Sequence, residues 1–201
     1  MGEAFVATMM KYREIGRTGK KASIIGLGLE HVDGKPYEQV KETVGAALEY
    51  GVNFMDCFMP GKEIRENVAK ALGNRRKDVY IQGHIGSTDV NMQYDVSRDL
   101  PVVKRYFEDM LRMFGGHIDF GMLFYIDTEN DYKKVFEEGI ADYAQRLKQN
   151  GDIGHIGFSS HNPVVAKEQS VNYFFVLVRS CSSIVGPRCV VALSTLFVLP
   201  S

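Results

Sequence analysis

Gly51-Val-Asn-Phe-Met-Asp-Cys57 decides the fold of this 201-residue chain. Gly51 stops a helical pattern, Val52 to Met55 is an apolar run of strand length, and Asp56 follows at its carboxyl end. A carboxylate there, in a repeat of strand and helix, faces the mouth of a barrel, where such folds carry their chemistry. Upstream, residues 37–50 have helical spacing, with Val40, Val44, Ala47 and Leu48 on one face. Ahead of them, Ile24-Ile-Gly-Leu27 reads as a buried strand, entered through a hairpin-like opening around Gly16 and Gly19.

Downstream the rhythm repeats. A helix is expected over 63–72, and a strand over 79–81 that runs on to Gln82-Gly-His84. Asp99-Leu-Pro101 opens a third helix, with proline in the first turn, and a fourth strand spans 118–124. One long helix is expected over 130–148, a fifth strand over 155–158, and another helix start at 163–166. Strands alternating with helices in this way imply an α/β fold with a parallel sheet and right-handed crossovers. With no GxGxxG turn, the pattern predicts a TIM-type (β/α)8 barrel rather than a doubly wound sheet, truncated after about five βα units.

Beyond Ala166 the character changes. Residues 170–179 and 189–199 are apolar and β-branched, and too few residues remain for three more units of ~30 residues each. The expected organisation is a disordered leader over 1–10, a partial barrel over 11–166 and an atypical, non-native apolar tail over 167–201. Neither tail run reaches the ~20 apolar residues of a membrane helix. A barrel left open exposes two strand edges, which predicts self-association.

Composition narrows the function. A net charge of −1 gives no electrostatic case for nucleic acid or an anionic membrane. Three cysteines without CxxC spacing argue against a disulfide framework, a zinc ribbon or an iron–sulfur cluster, and point to a reducing, cytoplasmic setting. The opening residues lack the pattern of a signal peptide.

At the strand ends stand Glu30, His31, Asp56, His84, Asp127, Ser159, Ser160, His161 and Asn162. One reading pairs Asp56 with His84, the carboxylate orienting an imidazole that acts as general acid. Another gathers His31, His84 and His161 with Asp56 or Asp127 around a divalent ion, although no two histidines have local metal spacing. The plainest reading makes each of them a solvated or capping loop residue. Glu63, Arg65 and Glu66 read as a solvated helix face.

Five stretches together resemble the aldo-keto reductases. They are Tyr12-Arg-Glu-Ile-Gly-Arg-Thr-Gly19, Ile25-Gly-Leu-Gly28, Gly51-Val-Asn-Phe-Met-Asp56, Ala71-Leu-Gly-Asn-Arg-Arg-Lys-Asp-Val-Tyr-Ile81 and Gly154-His-Ile-Gly-Phe-Ser-Ser-His-Asn162. The likeness is to the bacterial branch whose longer members carry a ferredoxin-like extension, absent here. It implies a barrel that binds NADP(H) and passes hydride to a small-molecule carbonyl substrate, with neither nucleic acid nor membrane as partner. The family's catalytic set is an aspartate, a tyrosine, a lysine and a histidine. Asp56 keeps the first role, Phe58-Met-Pro-Gly61 carries no phenol for the second, His84 replaces the lysine and Phe124 the histidine. Tyr125 is one residue away, on the other face unless the strand has ended or bulges. The resemblance assigns Asp56 to catalysis and Ser159, Ser160 and Asn162 to the cofactor, and the dyad reading adds His84 as the catalytic partner of Asp56. It therefore implies an oxidoreductase with an altered catalytic set. A non-catalytic binding module is the alternative, and a metal-dependent hydrolase or isomerase the third reading.

Overall fold

In a computed structural model, residues 10–16, 18–90, 93–162, 165, 177–178, 191–192 and 196–197 are described. Nearly all of the expected leader, the helix start at 163–166 and most of the tail lie outside them. An antiparallel hairpin, β1 (Tyr12–Glu14) and β2 (Lys21–Ser23), opens the chain. Then β3 (Ile25–Gly28), α1 (Tyr37–Glu49), β4 (Phe54–Cys57), α2 (Lys62–Leu72) and β5 (Tyr80–Ile85) follow in strand–helix alternation. A second hairpin comes next, β6 (Ser87–Val90) and β7 (Gln93–Val96). After it stand α3 (Leu100–Met113), β8 (Ile118–Leu123), α4 (Glu129–Glu137), α5 (Ile140–Asn150) and β9 (Ile153–Phe158).

The strands β3-β4-β5-β8-β9 form one parallel sheet in that order, as the alternation requires. Among the described tail residues, β10 (Leu177–Val178) pairs with β12 (Leu196–Phe197), and β11 (Val191–Ala192) pairs antiparallel with β3. One of the two edges expected to be open therefore carries a short strand.

Strand alternation sorts the sheet into two cores. Met55, Cys57, Ile81 and Ile85 point to the helices, where Val40, Val44, Val68, Val103 and Phe107 meet them. Phe54, Phe120 and Met122 point to the other side and close over Ile15 and Ala22 of the opening hairpin. Asp56 stands two residues after Phe54, on that same inner side.

Three differences from the sequence reading have local causes. Strand β4 runs from Phe54 to Cys57 rather than over 52–55, so Asp56 lies inside it. The single helix expected over 130–148 is two helices, because Gly139 adopts φ 93 between α4 and α5. That left-handed turn is open to glycine and strained for other residues. Arg65, expected in solvent, is 1% exposed.

Gly154 in β9 sits where a Cβ would come 2.8 Å from the Asp119 carbonyl oxygen of β8. Replacing Gly154 by alanine is expected to destabilise the chain by about 1–3 kcal/mol by pushing these strands apart. Urea unfolding measures it, and an unchanged midpoint would show the strands absorb the methyl group.

Candidate functional site

The register places Asp56 beside Gln82, because β4 and β5 pair Asp56 with Gln82 and Phe54 with Tyr80. His84 follows Gln82 by two residues and so shares its face. The result is one convergent cluster at the carboxyl end of the sheet. His84 Nε2 lies 2.8 Å from Asp56 Oδ1, and Gln82 Nε2 donates to the same oxygen at 2.9 Å. His84 and Asp56 are 5% and 8% exposed, and Gln82 is fully buried. A carboxylate can only accept, so His84 carries its proton on Nε2 toward Asp56. That leaves Nδ1 without a partner, and Gln82 Oε1 also lacks one. Buried polar atoms are normally satisfied, so these two orphans at the barrel mouth are available to a further partner. The sequence reading paired Asp56 with His84 but missed Gln82, whose period-two spacing to His84 was the available signal.

The loop after β4 supplies no phenol: Met59 is buried, and its carbonyl accepts from Arg65 Nε at 2.9 Å. Phe124 lies edge-on to His84, ring centroids 5.1 Å apart. Strand β8 ends at Leu123, and Tyr125 then turns with φ 49, the one positive φ outside glycine among the described residues. Its ring stacks flat on Phe124 at 3.8 Å, so the phenol comes back toward the mouth instead of facing away. Backbone bonds hold this turn: Ser159 Oγ accepts from Tyr125 N at 3.0 Å, and Arg98 donates to the carbonyls of Phe124 and Tyr125. Burial pushes the Tyr125 pKa up, and the neighbouring Tyr94 phenol and the charge of Asp56 push the same way. The phenol stays protonated.

Ser159, Ser160, His161 and Asn162 gather at the carboxyl end of β9, around Asp127. Ser160 Oγ donates to Asp127 Oδ1 at 3.0 Å, His161 Nδ1 lies 2.9 Å from Oδ2, and Asn162 Nδ2 donates to the Asp127 carbonyl at 3.1 Å. Burial tends to raise the Asp127 pKa, but the bonds from His161 and Ser160 win and hold it below the ordinary 3.8. A carboxylate depressed in the folded state stabilises above its unfolded pKa, and that stability is lost as pH falls through the folded value. Acidifying below 3.8 is therefore expected to lower the urea midpoint more in the parent than in Asp127→Asn. Equal losses would remove Asp127 as the anchor of this loop.

Glu30 and His31 are exposed, in a 3-10 turn after β3. His31, His84 and His161 do not converge: among the described residues no three His, Cys, Asp or Glu side chains are placed to hold a metal ion. The metal reading thus loses its ligand set. No helix among the described residues is long and apolar enough to cross a membrane.

Residues 24–179 match the model of the Aldo/keto reductase family. Among solved structures, the fold is similar to the aldo-keto reductase AKR11C1 from Bacillus halodurans in its holo form. The TM-score is 0.72 at 24% identity, over 85% of this chain and 58% of that one. It is also similar to the glycerol dehydrogenase AKR11B4 from Gluconobacter oxydans, with TM-score 0.62 at 20% identity over 85% of this chain and 54% of that one. A Pseudomonas aeruginosa protein assigned to the aldo-keto reductases aligns with TM-score 0.73 at 16% identity, over 91% of this chain and 83% of that one. This chain thus spans little more than half the length of the first two. No curated protein matches it. The match over most of the sequence, on a parallel sheet with the expected strand order, settles the family: the chain belongs to the aldo/keto reductases.

Proposed function

We infer that this chain, in a complete barrel, is an NADP(H)-dependent oxidoreductase that reduces a small-molecule carbonyl, with Asp56 and His84 handling the proton. The observation that carries the reading is the buried 2.8 Å contact of Asp56 with His84 Nε2, which leaves Nδ1 as the unpartnered nitrogen. When bound, the nicotinamide group supplies hydride to the carbonyl carbon. His84, in its charged form, donates the Nδ1 proton to the carbonyl oxygen. Asp56 fixes the ring through Nε2 and balances its charge, and Gln82 holds the carboxylate by donating to Oδ1. This set does without the tyrosine and lysine of the family pattern.

The residues at the end of β9 fit a nicotinamide in part. Ser159 accepts from Tyr125 N, so its hydroxyl proton is left for the carboxamide oxygen. Ser160 gives its proton to Asp127 and accepts from Asn162 N, so it supports the loop rather than the ligand. A reducing cytoplasm suits the free, buried Cys57. Among the described residues no strand pairs with β9 on its outer side, which favours association with a further chain segment or a second copy.

The second reading, a non-catalytic binding module, draws on the near-complete burial of His84 and Asp56. One experiment separates the two. NADPH is titrated by fluorescence against this chain and against a version extended with the remaining barrel units, followed by a carbonyl screen. Binding and turnover by the extended form are expected. Binding without turnover would favour the module, and no binding by either form would retire the nicotinamide reading.

A further inference from the structure

Residues 167–201 cannot hold three more βα units, yet the sheet has two edges to cover. Parallel neighbours need a crossover of a dozen or more residues, whereas an antiparallel strand follows through a short turn. A tail too short for further crossovers can still cover an edge by running antiparallel, and the described tail residues do so. On the outer side of β3, Val191 is the register partner of Gly26 and Ala192 of Ile25, in antiparallel sense. Leu196 pairs with Val178 and Phe197 with Leu177, again antiparallel, and β10 comes beside β9 at the far end of the sheet.

Strands β11 and β12 are two stretches of one segment, with only residues 193–195 between them. Ala192 and Leu196 therefore lie no more than about 14 Å apart, four steps of ~3.6 Å each. One short segment is thus tied to β3 at one edge and, through β10, to β9 at the other. The match to the family model ends at residue 179, after β10 and before β11, so this segment is particular to the present chain.

We propose that residues 191–197 form a clasp that shuts the open sheet into a closed barrel within a single chain, in place of the remaining units of the family's barrel. Val191, Ala192, Leu196 and Phe197 are all apolar, as a strand joining a buried sheet requires. A paired edge no longer offers free N–H and C=O groups to another copy, so the clasp replaces the self-association expected of open edges with a monomer. It is independent of the carbonyl-reducing reading, because it concerns the sheet edges and not Asp56 or His84.

The test has two arms. Hydrogen exchange on the unaltered chain is read by mass spectrometry, with light scattering for its mass. Amides of 191–197 are expected to exchange at least about tenfold more slowly than in the unfolded chain, in a monomer. Exchange at the unfolded rate, or a dimer, overturns the clasp. The second arm pairs Ile25→Cys with Ala192→Cys, with Cys181 and Cys189 changed to serine. Register partners on antiparallel strands have Cα atoms about 4.5–5.5 Å apart, within reach of a disulfide. Mild oxidation with diamide is expected to link most molecules within one chain. Links between chains would mean that a second copy supplies the strand, and they overturn the clasp, as does the absence of any link in a folded variant.

Discussion

Replacing His84 by alanine is expected to lower carbonyl reduction by the complete barrel about 10²–10⁴-fold, the usual contribution of a positioned proton donor. Only this imidazole combines a buried position at the strand ends, a carboxylate at 2.8 Å on one nitrogen and an unpartnered second nitrogen. His161 also has a carboxylate at 2.9 Å, but its side chain is 62% exposed at the rim. Asp56→Asn should produce a loss of similar size, because an amide offers Nε2–H a weaker acceptor and no charge. The double variant should lose little more than either single one, since residues that act as a unit are not additive. Steady-state kinetics with a soluble aldehyde measure all three, with NADPH binding as the control for folding. Turnover unchanged in His84→Ala would remove the dyad from the mechanism and hand the proton to another group.

Arg65→Met is expected to cost about 2–4 kcal/mol of stability, from a buried network left half made. The guanidinium reaches from α2 in two directions, with Nε donating to the Met59 carbonyl and Nη1 to the Tyr106 carbonyl of α3 at 2.8 Å. Burial pulls its pKa below the arginine norm, while Cys57 and Asp109 pull it back up. Burial also drives the neighbouring Cys57 thiol up to about 12, against the pull of Arg65, so the thiol is neutral. The charge is thus held mainly by backbone carbonyls. Methionine fills the stem's volume and satisfies neither carbonyl. Arg65→Lys should fall between, because an ammonium lacks the planar fork that spans both acceptors. For a chain of this size the methionine variant corresponds to a melting point lower by about 4–16 °C. A melting point within a degree of the parent would mean water replaces the guanidinium.

Much of the fold was legible because buried parallel strands read as short apolar runs between helical patterns. Val79-Tyr-Ile81 and Ile118-Asp-Phe120 announce themselves in this way. The second hairpin was not legible: Ser87-Thr-Asp-Val90 and Gln93-Tyr-Asp-Val96 are too polar to stand out as strands. The break at Gly139 was hidden because core spacing continues through Phe136 and Ile140 across it. Arg65 was misread for a different reason. Its burial depends on a carbonyl in the loop after β4, and no local pattern encodes that contact. Asp56 and His84 were found from strand ends, whereas Tyr125 required the backbone turn after Leu123, which sequence alternation cannot foresee.

The β6–β7 hairpin starts two residues after β5 ends and closes its own base, where Ser97 N donates to the Gly86 carbonyl at 2.9 Å. It is tied to the barrel at defined points, among them Ser87 to the Phe58 carbonyl and Tyr106 to the Asp89 carbonyl. A segment with adjacent ends and its own hydrogen bonds behaves as a cassette. Exchanging it is expected to leave intact the sheet that holds Asp56, Gln82 and His84. The hairpin and the Asp56–Gln82–His84 cluster can therefore vary separately along this chain.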